Sequence, residues 1–507
     1  MASIPKLPGE DRKEHKVFRD FGGINTQANR QGISDTQFSW IENVMPIGFA
    51  NAKVVPAQTS TLQTHTATGY YYYPFNINNT SYIFVATTSG AAFQILATSP
   101  YTITTIAAAG TFSGTSTQIA QWKNERILII DTNANGYRSW DGTTLTILSG
   151  TTSAPSGGTT IATYSGRVWI GNGRTLNYSA PASYTDFSGA SAGGNTVISD
   201  ETLTSNINQL LTANNFLYFF GDDSINVIAD VRVSSGSTLF SNTNISASLG
   251  TTFIYAVEPY YRAIWFVNKS GVYALYGATP KKMSDEIDGI FALIDFTKTV
   301  SAGTCYIYNI FCFAVSFTYN DPQLGARPIV CVYFNKKWFV ASQGSSLKFI
   351  WTNNIGGIDY LYGADGTNVY QCFNNTSGNV SWKMVSKLFD DGVPYQDKQV
   401  VKFGLECTLP ASVSSLSATI DSESNSQSYT LASTSIATWI NNSGAAVTWK
   451  NNSSATVNWL ATGYTWFRQD VSMIGHYYGV TITSTTPAFL IQGAMWQFEK
   501  RSLWGTN

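Results

Sequence analysis

The chain has 507 residues, a formal net charge of −1, 43% hydrophobic residues, 14% aromatic residues and only 12% charged residues. This apolar content is sufficient to bury a core, which excludes a disordered chain. Binding of nucleic acid through clustered phosphate contacts is not expected, because the sequence has no block of lysine and arginine.

The N-terminal residues divide into two predicted segments. Residues 1–16 are polar and carry several charges, which predicts a flexible arm that is either solvated or ordered on a neighbouring subunit. Residues 17–69 form a separate segment, in which the paired glycines Gly22 and Gly23 predict a tight turn with positive φ. No apolar run reaches the length of a signal peptide or of a membrane span, so no membrane insertion is expected.

A capping box predicts a short helix within this second segment. Ser34 can cap the first turn, and Gln37 can reach back to it. The helix is expected to continue through Ile41 and to end before Pro46.

A hairpin pattern then recurs about seven times, each copy being an aromatic-rich apolar run, a Gly/Asn/Asp/Ser turn and a second apolar run. The copies are roughly 41 to 49 residues apart, the period of a four-stranded propeller blade. We therefore predict an all-β fold with a β-propeller of six or seven blades over 70–394. The first runs begin near Tyr82, Ile127, Val168, Leu217, Ile264, Phe311 and Tyr360.

Two further elements complete the prediction. One helix is expected to interrupt the strands, with Ser284 as its cap and an apolar face built from Ile287, Ile290, Phe291 and Ile294. From 395 the composition becomes richer in Ser, Thr and Asn while alternation persists, so 395–507 is predicted to be an additional C-terminal β-domain, sandwich-like in architecture.

The residues that usually carry catalysis or metal binding do not form a recognisable pattern. His15, His65 and His476 lack the spacing of a zinc site. No GxSxG elbow and no phosphate-binding GxxxxGK[ST] loop is present. We predict no catalytic residue, no cofactor and no metal. The five cysteines, odd in number and without a CxxC pair, are expected to be buried free thiols in a protein folded in a reducing cytoplasm; they are Cys305, Cys312, Cys331, Cys372 and Cys407.

Two groups of side chains keep rival functions open. Three acidic groups, which we expect at a hairpin tip, a helix start and the domain boundary, could supply the carboxylate pair of a glycoside hydrolase; they are Asp222–Asp223, Asp285–Glu286–Asp288 and Asp390–Asp391. Six tryptophans, which we expect in the core, could instead form a sugar-binding surface; they are Trp122, Trp169, Trp265, Trp338, Trp351 and Trp382.

Three stretches, in this order, resemble one protein family. The N-terminal stretch contains Phe21-Gly22-Gly23-Ile24-Asn25-Thr26, Ile33-Ser34-Asp35 and Ile41-Glu42-Asn43-Val44. The second runs from Ser165 to Phe187, and the third runs from Ala263 to Asp285. Together they resemble the tail nozzle proteins of short-tailed bacteriophages. The stretch Gly48-Phe49-Ala50-Asn51-Ala52-Lys53 departs from the Gly-x-Leu…Arg-x-Gly strand common in that family.

The resemblance implies a structural virion protein and no catalysis. It implies a homo-oligomeric ring, expected to be a hexamer, which lies in the virion tail below the portal and the tail adaptor protein and is assembled in the host cytoplasm. The ring would extend the channel for genome retention and ejection, contact tail fibre or plug proteins, and let double-stranded DNA pass without specific binding. Its implied assembly contacts are Phe21, Gly22, Gly23, Asn25 and Asn43. The alternatives are a carbohydrate-binding or receptor-binding tail propeller and a glycoside hydrolase.

Overall fold

The computed structural model describes residues 13–343, 346–408, 416–431, 439–440, 446–447, 465–487 and 489–503. Nearly all regular structure in these ranges is β-strand, which confirms the predicted all-β class. The chain divides into two compact units. A propeller unit contains Thr59–Phe334 and Ser345–Cys372, and a sandwich unit contains Met1–Gln58, Asn335–Gly344 and Phe373–Asn507.

The propeller unit begins with four blades, each a four-stranded antiparallel sheet in sequential order. Blade 1 consists of Gly69–Ile77, Thr80–Thr87, Ala92–Leu96 and Ile103–Ala107. Blade 2 consists of Gln118–Trp122, Arg126–Ile130, Arg138–Trp140 and Leu145–Ile147. Blade 3 consists of Thr160–Tyr164, Arg167–Asn172, Thr175–Tyr178 and Gly194–Val197. Blade 4 consists of Gln209–Ala213, Phe216–Phe220, Ile225–Ser234 and Ser237–Ser246.

Three more blades complete the propeller. Blade 5 consists of Val257–Tyr260, Ala263–Asn268, Gly271–Tyr276 and Thr279–Lys282. Blade 6 has three strands in this unit, Ser301–Ile307, Ile310–Asp321 and Gly325–Phe334. Blade 7 has Phe349–Ile355, Ile358–Ala364 and Asn368–Gln371, and its fourth strand is Gln63–Thr64. The seven predicted hairpin runs are the second strands of these seven blades, so the repeat is confirmed.

Ring closure follows from how the first strands of the blades meet. The first strand of blade 1 contacts those of blades 2 and 7, and most other neighbouring first strands contact each other in the same way. Blades 4 and 5 are joined by a shared core that includes Phe220, Val257 and Phe266. Since Gln63–Thr64 pairs with the last strand of blade 7, residues from before blade 1 close the ring by hydrogen bonds.

The predicted helix after blade 5 is confirmed but is short. A 3-10 turn over Asp285–Ile287 leads into the α-helix Asp288–Phe291. The apolar face is buried as expected, with Ile287 and Ile290 almost inaccessible to solvent. Ser284 does not cap the helix through its side chain; its hydroxyl instead accepts a hydrogen bond from the backbone N–H of Val272.

Two large sheets are present in the described part of the sandwich unit. The first has the order Val44–Gly48, Asn51–Val54, Leu490–Leu503, Gln396–Thr408 and Thr465–Gly475, with Lys13–Phe18 also pairing with Leu490–Leu503. The second has the order Lys337–Ala341, Phe38–Glu42, Trp382–Ser386, Gly479–Ser484, Leu416–Asp421 and Ser426–Leu431. A separate two-stranded pair joins Trp439–Ile440 and Ala446–Val447. Between the two sheets lies an apolar core that includes Phe18, Phe38, Leu405, Ile482 and Trp496.

The sandwich corrects the predicted domain boundaries. The C-terminal β-domain does not stand alone over 395–507, because strands from both predicted N-terminal segments pair within its sheets. Lys13–Phe18 is a strand of this chain's own sheet and not part of a free arm, whereas residues 1–12 of the predicted arm lie outside the described residues. The propeller starts before 70 and ends at Cys372, earlier than expected.

The predicted helix after Ser34 is wrong. Gln37 does accept a hydrogen bond from the Ser34 N–H, but this contact closes a turn, and Phe38–Glu42 is a strand. That strand pairs with Trp382–Ser386, more than 300 residues further along the chain. Partners so remote in sequence override local helix signals. No helix within the described ranges is long and apolar enough to cross a membrane.

Candidate functional site

The five predicted assembly contacts are internal parts of the sandwich unit. Phe21 is buried against the rings of Phe18 and Phe38. Asn43 is fully buried, and its side-chain amide donates hydrogen bonds to Ser342 and to the carbonyl of Ser381. These side chains are therefore committed to their own chain, and a role for them in assembly stays a prediction.

The glycine pair is required for close packing rather than for positive φ. Neither Gly22 nor Gly23 has positive φ. A Cβ at Gly22 would meet the carbonyl oxygen of Thr36 at 2.6 Å, and one at Gly23 would meet the backbone nitrogen of Trp338 at 2.9 Å. Asn25 holds the same turn, since its amide donates to Gln37 and its Oδ1 accepts from the Gln27 N–H.

Each acidic group has a local structural partner. Asp222 accepts a hydrogen bond from Asn208, and Asp223 accepts one from Thr204, both near the turn of the blade 4 hairpin. Lys282 pairs with Asp288 at 2.7 Å beside the short helix.

The acidic pair Asp390–Asp391 is also held by its own unit. Asp391 binds Lys16 Nζ at 3.0 Å and accepts a hydrogen bond from the hydroxyl of Tyr478. Lys16 also reaches Asp35 at 2.9 Å, and these contacts raise the pKa of its ammonium group even though burial opposes the shift. The Asp391 carboxylate therefore connects the strand Lys13–Phe18 to Tyr478 in the C-terminal part of the same unit.

The histidines are separate, as the sequence indicates. His65 is buried in the propeller between Tyr72 and the carbonyl of Ala67, and burial lowers the pKa of its imidazole. His476 contacts Glu423 and Asp397 in the sandwich. Across the described ranges, no group of three or more His, Cys, Asp or Glu side chains is arranged to hold a metal ion.

The six tryptophans that could have formed a sugar-binding surface are buried, as predicted from their position in β-runs. Their exposed fractions are 5% or less, and the largest belongs to Trp122. A sugar ring needs an exposed aromatic face to stack on. These six residues therefore do not form such a surface.

All five cysteines are free and buried, as predicted. Burial raises the pKa of the Cys312, Cys331 and Cys407 thiols to about 12, and the pKa values of the other two are raised as well. Since thiolate is the reactive form, we expect native protein to react with Ellman's reagent far more slowly than protein in guanidinium chloride, where all five thiols react. A fast stoichiometric reaction of one thiol in the native protein would contradict this.

An axial cavity of about 380 Å³ lies where the seven blades meet. Residues from all seven blades line it, and all of them belong to the propeller unit. Its wall includes the tyrosines Tyr71, Tyr73 and Tyr255. Cavities of this size on a propeller axis are of the dimensions that small ligands occupy.

Glu258 gives this cavity its charge. Of the described residues that line the cavity, Glu258 is the one carboxylate, and no Lys, Arg or His is among them. The Thr352 hydroxyl donates to Glu258 Oε1 at 3.0 Å. Surrounding protein raises the pKa of the Glu258 carboxyl to about 7, and the nearby Asp359 adds to the shift. At neutral pH this group therefore lies close to half-ionisation.

A chain of hydrogen bonds extends from Glu258 towards blade 6 and the outer part of blade 7. The Thr304 N–H donates to the Thr352 oxygen at 2.6 Å, and the Thr304 hydroxyl contacts Asp359 at 3.4 Å. The surrounding protein and the charge of Glu258 together raise the pKa of Tyr73 to about 12, although Tyr73 is 43% exposed. Among the described residues that line the cavity, Glu258 therefore has hydroxyl groups as neighbours and no cation, and the nearby Asp359 is also acidic.

Several hydrogen-bond donors in the cavity wall have no partner in the described structure. They are Gln118 Nε2, Trp351 Nε1 and the hydroxyl of Tyr255. Gln118 is 3% exposed and Trp351 is 4% exposed. Buried donors are nearly always satisfied in folded proteins, but these three atoms are themselves inaccessible to solvent, so they do not open onto the cavity.

The sequence analysis did not find this site. Glu258 lies in an ordinary strand pattern between Val257 and Pro259, and only the closed ring brings it to the axis. One sequence feature could have indicated it. The first strand of blade 5 contains the charged residue Glu258, whereas the first strands of the other six blades contain no charged residue.

Comparisons with known proteins leave the family open. No family model matches the chain, and no curated protein matches it. One similar solved structure is the extracellular domain of the one-component system BT4673 from B. thetaiotaomicron, with 10% identity and a TM-score of 0.42, covering 64% of this chain and 41% of that one. Another is BBS1N in complex with ARL6DN, with 9% identity and a TM-score of 0.39, covering 64% of this chain and 99% of that one. At these TM-scores neither likeness carries an argument about function.

Proposed function

We propose that this chain is a structural virion protein that forms the distal ring, or nozzle, of a short bacteriophage tail. The observation that carries the proposal is the order of three stretches that resemble the nozzle family: 21–44, 165–187 and 263–285. In the structure these stretches are the start of the sandwich unit, the hairpin of blade 3 with the loop after it, and blade 5 with the turn that follows. A scaffold role also suits a repeated fold whose acidic groups are engaged in local contacts.

In this proposal, DNA passes between copies and not through a propeller. The axial cavity of about 380 Å³ is closely walled by seven strands. A DNA duplex, whose major groove alone is about 12 Å wide, does not fit there. The proposed hexameric ring therefore needs a central channel bounded by the outer surfaces of its subunits, below the portal and the adaptor.

The proposed channel is weakly charged or acidic. Basic groups that contact phosphates give salt-dependent retention of DNA, which would oppose ejection. The net charge of −1 and the 12% charged residues of this chain fit passage of DNA without specific binding. We expect no measurable retention of duplex DNA by the purified protein at physiological salt.

Negative-stain electron microscopy of the purified full chain, alone and mixed with portal–adaptor complexes, tests the proposal. We expect rings with a central opening wide enough for duplex DNA, or rings that form only on the adaptor. Portal–adaptor complexes without the chain are the control. A chain that stays monomeric under both conditions would overturn the proposal, and binding on a glycan array would then favour a receptor-binding tail propeller.

A further inference from the structure

Exposed aromatic side chains lie at the first hairpin turn of four consecutive blades of the propeller, blades 3 to 6. Phe216, Tyr261 and Tyr306 are 40%, 69% and 48% exposed, and Tyr164 and Phe311 are partly exposed. We call these five residues the aromatic row. They satisfy the requirement that the six buried tryptophans fail, because their rings are accessible to a partner from solvent.

Hydrogen bonds between neighbouring turns hold the blade 3, 4 and 5 parts of the row together. The Tyr164 hydroxyl of blade 3 donates to the carbonyl of Asn215 in the blade 4 turn at 3.0 Å. Asn214 of the same turn donates to the carbonyl of Arg262 in the blade 5 turn, also at 3.0 Å. These turns therefore form one continuous edge, and contiguous exposed aromatic surface of this kind marks an interaction site.

The blade 5 and blade 6 parts of the row touch directly. The Phe311 ring centroid lies 5.3 Å from that of Tyr261 and 5.0 Å from that of Tyr306. Tyr261 also has a φ of 52°, a left-handed conformation that Asn214 and Gly356 adopt in the first turns of blades 4 and 7. A bulky residue is uncommon in this conformation. Neither burial nor backbone preference accounts for Tyr261, which points to a role at the surface.

The charges beside the row are few and of both signs. Among the described residues of the four turns, Arg262 is the one charged residue. An open groove of about 760 Å³ adjoins the blade 3 end, and Lys123 is the one charged residue that lines it. Asp230 lies near Tyr164 at the same end. A polyanion such as nucleic acid needs clustered cations, so this charge distribution favours an uncharged partner.

A neutral oligosaccharide matches this combination of rings and polar groups. Each sugar unit has an apolar face of C–H groups, which stacks on an exposed aromatic ring, and hydroxyl groups at its edge, which bond to amides and hydroxyls. Groups of the second kind alternate with the rings along the row, since Ser165, Asn214 and Asn215 are all exposed. A second copy of the chain would favour a compact apolar centre over rings separated by polar turns.

We propose that the aromatic row binds a linear neutral oligosaccharide, whose sugar units stack on the rings of successive blades. The open groove beside Tyr164 receives one end of this chain. All five residues of the row belong to one propeller unit, so the inference does not depend on the proposed nozzle function.

Binding of the full-length protein to an array of immobilised oligosaccharides tests the inference. The array carries neutral polymers of glucose, mannose and N-acetylglucosamine and neutral bacterial O-antigen chains, beside the matching monosaccharides and a single-stranded oligonucleotide. We expect saturable binding to at least one oligosaccharide and none to its monosaccharide, because only a chain reaches several rings. Raising the salt from about 50 mM to 200 mM should leave this binding unchanged, whereas binding to phosphates would fall steeply.

Variants of exposed residues make the result specific to the row. The double variant Tyr261→Ala/Tyr306→Ala should weaken binding of the same oligosaccharide about tenfold or more, because it removes two stacking surfaces. Tyr261→Phe keeps the ring and should bind within about twofold of the native protein. Tyr276→Ala, at an exposed tyrosine in the turn between the last two strands of blade 5, is the matched control and should bind as the native protein does. If the double variant does not fold, Phe216→Ala replaces it.

The inference is overturned if no oligosaccharide on the array binds with saturation, or if the double variant and the native protein bind equally well. Salt-sensitive binding of the oligonucleotide alone would also overturn it and assign the row to nucleic acid. Electron microscopy separates it from the nozzle proposal, because the double variant should assemble into the same rings as the native chain. Loss of the rings without loss of oligosaccharide binding would instead assign the row to contacts between copies.

Discussion

Replacing Tyr72 by Ala is expected to lower the free energy of unfolding of the propeller unit by about 3–4 kcal/mol. Tyr72 is 1% exposed and lies at the junction where the ring closes. Its ring stacks on Trp351 of blade 7 with centroids 4.8 Å apart, and its hydroxyl contacts His65 Nε2 at 2.9 Å. His65 directly follows Gln63–Thr64, the strand that completes blade 7. The Tyr72 side chain therefore connects blade 1 with blade 7 at the point where the ring closes.

Urea unfolding of the full-length chain, followed by tryptophan fluorescence and by circular dichroism, measures this effect. Tyr72→Phe keeps the aromatic stacking and loses only the hydroxyl, so its cost should be about 1 kcal/mol. Tyr276→Ala, at an exposed position on blade 5, is the matched control and should change stability by no more than about 0.5 kcal/mol. If Tyr72→Ala and Tyr276→Ala changed the free energy of unfolding equally, the contacts of Tyr72 where the ring closes would contribute no more to stability than an exposed side chain does.

Replacing Glu258 by Gln is expected to raise the free energy of unfolding at about pH 8 by about 1–3 kcal/mol and to have little effect near pH 4. The pKa of Glu258 is raised from 4.5 to about 7 in the folded protein. Between these values the folded state keeps a proton that the unfolded state has released, so native stability falls as the pH rises through this window. Gln keeps the neutral form of the side chain at every pH and removes this loss.

Unfolding curves at several pH values between about 4 and 8 test this prediction. The difference between Glu258→Gln and the native chain should grow from about pH 4.5 to pH 7 and then level off. Glu125→Gln should follow the native profile throughout, because that carboxylate is exposed. Parallel profiles for Glu258→Gln and the native chain would show that Glu258 titrates normally.

The parts of the fold that could be predicted are those with local causes. The seven hairpins follow from period-two apolar runs and from turn residues such as Asn172-Gly173 and Asp365-Gly366, where Gly173 and Gly366 have positive φ. Burial of the tryptophans and cysteines follows from the apolar runs that contain them.

The missed parts depend on partners far away in the sequence. The strand Phe38–Glu42 carries local helix signals, but Trp382–Ser386 supplies an edge with which it pairs. The charges of Lys13–Phe18 suggest a free arm, yet this strand pairs with Leu490–Leu503. Its Lys16 forms ion pairs with two carboxylates of the same unit, Asp35 and Asp391. Such pairings follow no local rule, because a strand's register is set by the surface that it meets.

The sequence by itself determined that this protein is an all-β repeat protein with about seven hairpins, a buried aromatic core and free thiols, since each of these depends on neighbouring residues. Only the tertiary structure decided which strands close the ring, which distant segments build the sandwich, and that Glu258 accepts a hydrogen bond from Thr352 in the wall of one axial cavity. Glu258, Thr352 and Gln118 lie on blades 5, 7 and 2, and the pKa of the Glu258 carboxyl is raised only because the closed ring surrounds this side chain with protein.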